Sequence, residues 1–452
     1  MGNTNEKIGI GEKICYFLAN IGNIPLMTLL STFFMIFYTD VVGLNAGALA
    51  TLFLISKVVD GLSDPLMGFF LDKFPVTKMG KFRPMLMLGT VICVVNYILL
   101  WFGAVWSPVG KYAIVYVTYI LLGWTFDIMD ISLNSLLPIM TTDNKERNQL
   151  SLIKAIGYML GAMGLSVIGP IVVASKTLES YYVLIFGAMA VTLVCSLVGA
   201  AGVKERVTFE GTEEEKYKIK DLFRFLFSKP VIITFLANLL YMIGVQGASG
   251  AGTYFFTYIM GDLTIMAGVS GIAMVGMIPG MIFAPLLANK IGKKKVFAAG
   301  IFICAIGPAI RLLDPTSIVL IYVGSIIGSV GGGFIMPLTY GVQADNTLYV
   351  QYTTGKHAEA AIASLSSFLT KVGQGIAGAL PGYVLAACGY VNGAAQQPES
   401  VYIGILGCVL VAPVVLCILG GLLFVFGYKL DKDTVDQMAK EIAEQEKAKA
   451  SV

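Results

Sequence analysis

Charge is what this 452-residue chain has little of: 13% of its residues are Asp, Glu, Lys or Arg, against 56% that are apolar. Average soluble proteins carry about a quarter charged residues, and a mean hydropathy of +0.79 excludes a soluble domain of this length. Histidine is nearly absent, since His357 is the sole example, so neither an imidazole metal centre nor a His-dependent nucleophile and base pair can be assembled. The seven cysteines (Cys15, Cys93, Cys195, Cys304, Cys388, Cys408 and Cys417) lie in apolar stretches without CxxC or metal-ligand spacing, and read as small core residues. A membrane enzyme is therefore the weakest functional class, and no cofactor is expected. The net charge of +3 carries no nucleic-acid signal, because its distribution reports topology instead.

What is present is a series of apolar runs long enough to cross a bilayer. Twelve are found, near residues 14–38, 47–71, 84–105, 112–138, 151–174 and 180–203, then 231–260, 268–288, 296–313, 317–344, 360–387 and 401–428. The expected fold is an all-α membrane protein of twelve transmembrane helices in two six-helix halves. Its parts are a first bundle at 1–203, a linker at 204–230, a second bundle at 231–428 and a solvated, helix-prone tail at 429–452. The segment "GTEEEKYKIKDLF" in the linker reads as a turn leading into an interfacial helix. With both termini cytoplasmic, 25 of the 31 Lys and Arg residues fall on the cytoplasmic side, as the positive-inside rule requires of a multi-pass protein of the cell membrane. The loops after helices 2 and 8, and after helices 4 and 10, echo each other weakly. Small-xxx-small pairs such as Gly157 with Gly161 and Gly324 with Gly328 suit close helix packing.

Four aspartates interrupt the apolar runs in two tight pairs, Asp60 with Asp64 and Asp127 with Asp130. Each charge at the centre of a membrane helix costs about 2.5 to 3.5 kcal/mol, so such groups are retained where they hold a cation, a proton or a polar substrate. Spacings of four and three residues put both members of a pair on one helix face. Ser63 adds a neutral oxygen beside the first pair, and an all-oxygen set suits Na⁺, Li⁺ or H⁺. Lys57, one turn before Asp60, is positioned for a salt bridge, the purely structural alternative for that carboxylate.

The stretches "YTDVVGL", "VVDGLSDPLMG", "TKMGKFRP", "DIMDISLNSLLP", "YFFTYIMGD" and "FLTKVGQGIAG" resemble the glycoside-pentoside-hexuronide:cation symporter family of the major facilitator superfamily, over nearly the whole chain. The resemblance implies a sodium- or proton-coupled sugar symporter with twelve helices and no resident cofactor, expected to act as a monomer. It implies a cation site at Asp60, Ser63, Asp64 and Asp127, where Asp127 stands in place of a threonine. It also implies sugar contacts from Asp130 on helix 4 and Lys371 on helix 11, with Gln374 one turn after Lys371. Departures accompany these matches. Asn23 and Ile24 replace a Lys-Asp pair, Asn134 replaces a stacking tryptophan, Met336 replaces another, and Lys154 stands one position from an expected arginine, so the galactoside pocket is not preserved.

Tyr16, Asn20, Asn23, Met27 and Phe34 recur at helical spacing on the expected cavity face of helix 1, although Met27 and Phe34 suit ordinary packing equally well. Lys154 and Lys371 make an anionic sugar derivative, a hexuronide or a sulfonated sugar, the rival of a neutral glycoside. The missing tryptophans keep a lipid-like substrate open. In "DKFPVTKMGKFRP", Asp72, Lys78, Lys81 and Arg83 read as gating residues, with Asp143, Glu146 and Arg147 as expected partners.

Overall fold

The computed structural model describes residues 8–72, 75–141, 143–206, 227–354, 359–394 and 396–450. Side chains at 62–72, 144, 145, 148, 359–361, 363, 364, 443 and 445–450 fall outside the description, as do His357 and most of the 204–230 segment with its expected interfacial helix. Twelve long helical segments account for the expected spans. In the first half they are α1 (Ile10–Ile36), α2 (Ala46–Asp72), α3 (Phe82–Trp106), α4 (Lys111–Met140), α5 (Asn144–Val172) and α6 (Leu178–Gly202). In the second they are α7 (Lys229–Tyr254), α8 (Thr264–Ile291), α9 (Lys293–Arg311), α10 (Ile318–Thr354), α11 (Glu359–Ala387) and α12 (Glu399–Gly427), followed by α13 (Lys432–Ala450). Nine of the twelve are long and apolar enough to cross a membrane on length and composition alone, counted over the described residues.

The chain forms two units. The first comprises Met1–Glu214 with Gly261–Ala267 and Tyr390–Gln396; the second comprises Glu215–Met260, Gly268–Gly389 and Gln397–Val452. Inside the first, α3 packs on α4, α1 on both α5 and α6, and α3 on α6; inside the second, α9 packs on α10, α7 on both α11 and α12, and α9 on α12. The same order of neighbours thus recurs, which is what an internal repeat produces. A shared signature marks the repeat. α1 ends in a π-helical turn at Phe37–Val41 and α7 ends in one at Phe255–Ile259, and each runs into a glycine in the left-handed region, Gly43 (φ 81°) and Gly261 (φ 70°). "FYTDVVG" and "FFTYIMG" encode the two turns, a repeat the loop comparison did not reveal.

Two expectations are corrected. The helix expected at 317–344 continues to Thr354 because its polar residues find partners: Lys293 Nζ donates to Asp345 Oδ1 at 2.6 Å and Asn346 Nδ2 donates to Thr234 Oγ1 at 3.1 Å. The tail is not simply solvated. α13 packs along the extension of α10, burying Met438 and Ile442, while Tyr352 Oη donates to Glu441 Oε2 at 2.7 Å. That bond, with a second from Gln437, holds the Glu441 carboxyl below its usual range.

Glycine sets the helix spacing in the second unit. A Cβ on Gly331 of α10 would lie 2.6 Å from the Gly300 carbonyl oxygen of α9 and 2.7 Å from the Cys304 amide nitrogen, so the two backbones touch. Gly331→Ala is expected to lower stability by about 1–3 kcal/mol through overpacking. Gly164→Ala, where a Cβ meets nothing within 4 Å, is the control, and thermal unfolding of both variants in detergent is the measurement.

Candidate functional site

The site is built on one stripe of α4. Tyr119, Gly123, Asp127, Asp130 and Asn134 recur at intervals of three and four residues, so they share a helix face. Against this stripe α2 presents Asp60, which is 6% exposed. Gly123 is what allows the approach, because a Cβ at that position would overlap the Asp60 carboxylate. Lys57 Nζ donates to Asp60 Oδ2 at 2.9 Å, so the carboxylate is paired within its own helix. Asp127 lies one turn along α4 from Gly123 and about 5 Å of helix rise before Asp130. Ser63 and Asp64 are on α2 with side chains outside the described residues.

A second cluster gathers at Asp130. Asn23 of α1 donates its amide to Asp130 Oδ1 at 2.6 Å, and Asn134 donates to Asp130 Oδ2 at 2.8 Å. Lys154 of α5 donates to the carbonyl oxygen of the same Asn134, and its ammonium lies 5.7 Å from the centre of the Tyr158 ring. Asn23 also donates to Tyr158 Oη at 3.1 Å. One acidic and one basic side chain are therefore joined through a primary amide instead of a direct salt bridge, and both lie beside hydrogen-bonding groups that can be exchanged for those of a polar ligand. Glycine again sets the distance, since Gly157 and Gly161 of α5 lie against Asn20 and Ile24 of α1 with Cβ spacings of 3.3 and 3.2 Å.

Four expected substrate residues, Asn23, Asp130, Asn134 and Lys154, thus meet in one hydrogen-bonded set. Tyr158 belongs with them and was not anticipated, although its position one turn after Lys154 on α5 was the available signal. Tyr16 and Asn20 are fully buried on α1, where the Asn20 amide donates to the Tyr16 carbonyl at 2.7 Å. Phe34 joins an aromatic core with Tyr38, Phe53, Trp101 and Tyr119, and so packs instead of facing a cavity. Lys371 and Gln374 lie one turn apart on α11 in the second unit.

At the end of the first unit where α1 begins, the basic loop is held by the end of α6 and the residues that follow it. Arg83 donates from Nε to the Ala200 carbonyl at 2.8 Å and from Nη2 to the Ala201 carbonyl at 2.5 Å, at the end of α6. Glu205 accepts from the backbone N–H groups of Lys81, Phe82 and Arg83, each at 2.8 Å, and so caps α3. Gly80 (φ 101°) makes this turn possible and leaves space for the Glu205 carboxylate. Arg206 forms a forked pair with Glu12 at 2.7 and 2.8 Å, and Lys13 pairs with Glu146 at 2.8 Å. Arg147 donates to the Thr141 and Pro138 carbonyls at the end of α4, and the Asp143 carbonyl accepts from the Arg147 amide. Lys78 is exposed in the turn, and the Asp72 side chain lies outside the described residues.

Comparison with known proteins fits this architecture. Residues 15–432 match the MFS/sugar transport protein family. The chain is 31% identical over 86% of its length to the isoprimeverose transporter of Lactiplantibacillus pentosus, covering 82% of that protein. It is 27% identical to the glucuronide carrier protein homolog of Escherichia coli, with 88% of each chain covered. It is 25% identical to the putative sulfoquinovose importer of Salmonella typhimurium, over 98% of this chain and 94% of the relative. Among solved structures, the nucleoside transporter NupG superposes with a TM-score of 0.66 at 13% identity, over 93% of this chain and 100% of that one, a likeness of fold alone. With two repeated helical units, buried aspartates on apolar helices and a match over nearly its full length, the chain belongs to the MFS/sugar transport protein family of the major facilitator superfamily, on the symporter branch its motifs resemble.

Proposed function

We propose that the protein carries an acidic sugar derivative across the cell membrane by alternating access, driven by a cation gradient, with both termini in the cytoplasm. The observation that carries this reading is the Asp130, Asn134 and Lys154 chain. Lys154 forms no salt bridge among the described residues, so its ammonium is available to a carboxylate or sulfonate, while Asp130 can accept from neighbouring hydroxyls. The relatives named for glucuronide and sulfoquinovose support a substrate of this kind, a carboxylated or sulfonated sugar. Lys371 and Gln374 on α11, and Tyr16 and Asn20 on α1, are further proposed substrate residues.

Asp60, Ser63, Asp64 and Asp127 are the proposed cation site, and a proton is favoured over Na⁺. Lys57 already supplies a positive charge to Asp60, which lowers the number of carboxylate oxygens left to coordinate a metal ion. Asp127 lies between the two clusters on the α4 stripe, so neutralising it changes the cost of placing an anionic ligand one turn away at Lys154 and Asp130. Asp72, Lys78, Lys81, Arg83, Asp143 and Arg147 remain the proposed gating set, with Glu205 as the acid that holds the backbone of Lys81 and Arg83.

Three outcomes test this reading in proteoliposomes. Lys154→Gln is expected to raise KM for a glucuronide or sulfoquinovose at least tenfold, about 1.4 kcal/mol, while uptake of a neutral glycoside changes less. An equal loss for both substrates would remove the acidic-substrate reading. Asp127→Asn is expected to abolish concentrative uptake while leaving equilibrium exchange, and accumulation at the native level would remove Asp127 from coupling. Native uptake is expected to follow a pH gradient and ignore Na⁺, whereas Lys57→Gln acquires Na⁺ stimulation; Na⁺-driven uptake with Lys57 intact would overturn the proton assignment.

A further inference from the structure

The internal repeat isolates one charged residue that neither the fold nor the proposed cycle uses. In each unit the first phenylalanine of the π-helical turn packs on the third helix of that unit. In the first unit Phe37 meets Trp101 of α3, with ring centres 5.1 Å apart, inside an aromatic core. In the second unit Phe255 meets Arg311 of α9, whose guanidinium carbon lies 5.1 Å from the ring centre. An aromatic side chain therefore suffices at this level of the fold, and the second unit buries a guanidinium there. Gly324 of α10 lies against the Arg311 stem, where a Cβ would be 2.9 Å from Cγ.

Arg311 Nε and Nη2 are both buried and make no hydrogen bond among the described residues. No described carboxylate pairs with the guanidinium. The nearest acid along the chain, Asp314, is committed to the amide and hydroxyl of Thr316 at 3.0 and 2.8 Å. A cation at a helix C-terminus gains from the helix dipole, which accounts for a charge at the end of α9. It does not account for the donors, because the last-turn carbonyls of Pro308, Ala309 and Ile310 are taken by the backbone N–H groups of Leu312 and Leu313. Burying an unpaired guanidinium is costly, and the face of Phe255 offsets it only in part.

The two idle donors are not an arbitrary pair. Nε and Nη2 form the side-on edge of the guanidinium, whose parallel N–H bonds match two oxygens of one oxyanion. We propose that Arg311 is an anion site at the α9–α10 end of the second unit, taking a carboxylate, sulfonate or phosphate oxyanion on its Nε and Nη2 edge. The site is separate from the Asp130 and Lys154 cluster of the first unit, and it stands whether or not that cluster binds the transported molecule. The shared chemistry is an oxyanion with two oxygens in the plane of the fork, whether that group comes free from solution or on a phospholipid.

The test uses the full-length protein in phosphatidylcholine nanodiscs, with thermal unfolding followed against sodium phosphate and sodium methanesulfonate at ionic strength fixed by sodium chloride. The native protein is expected to gain Tm with either oxyanion. The gain is absent in Arg311→Gln, and its half-saturating concentration rises at least tenfold in Arg311→Lys, which keeps the charge without the fork. Without oxyanion, Arg311→Gln is expected to melt at or above the native protein, because a buried unpaired charge has been removed. Stabilisation by phosphatidylglycerol discs alone, lost in the variants, assigns the site to a lipid headgroup and supports it equally. A native Tm indifferent to both oxyanions and to lipid charge overturns the proposal, as does an identical response in Arg311→Gln. If Arg311→Gln yields no folded protein, the comparison with Arg311→Lys decides.

Discussion

The contact between Asp60 and Gly123 is the constraint around which the first unit is arranged. A carboxylate in an apolar bundle is tolerated only where its charge is compensated and its neighbours leave it space. Lys57 supplies the first condition from the same helix, and the bare backbone at Gly123 supplies the second from α4. Because α4 is then fixed in register against α2, its stripe places Asp127 one turn beyond that contact and Asp130 and Asn134 further along. The polar chemistry of the unit is therefore strung along one helix in a set order.

That order gives the proposed coupling a physical form. At one end of the stripe a lysine and a carboxylate neutralise each other directly; at the other, a lysine and a carboxylate are held apart by an asparagine amide. Asp127 lies between them. Charge added or removed at Asp127 acts across one helical turn in a medium of low dielectric, where such interactions are far stronger than in water. No wire of moving parts is needed for the two ends to sense each other.

The two units share a plan and differ where chemistry is placed. Both end their first helix in a π-helical turn and a left-handed glycine, and both pair their helices in the same sequence. Glycine contacts bring α1 to α5 in one unit and α9 to α10 in the other, so small residues serve polar presentation in the first case and close backbone packing in the second. The exchange of Trp101 for Arg311 against equivalent phenylalanines is the sharpest divergence, because it substitutes a cation for an aromatic core.

Twelve apolar spans, an all-α membrane fold and the presence of charge within it were readable from the chain, because apolar run length and the cost of a buried charge are local properties that a sequence states directly. Where polar groups find partners was not readable. The apolar run at 317–344 stops where Asp345 and Asn346 follow, yet Lys293 and Thr234 on other helices let the helix continue. Tyr158, Glu205 and the role of Gly123 depend on which helix faces which. Asn134 is an expected substrate residue by its place in the chain, but its tie to Lys154 exists because α4 and α5 bring residues twenty positions apart into contact. Sequence alone determined that charge is buried in this membrane protein and where along the chain it lies. Tertiary structure decided which charges are neutralised and which are kept apart, because that depends on distances between helices that small residues set and composition does not record.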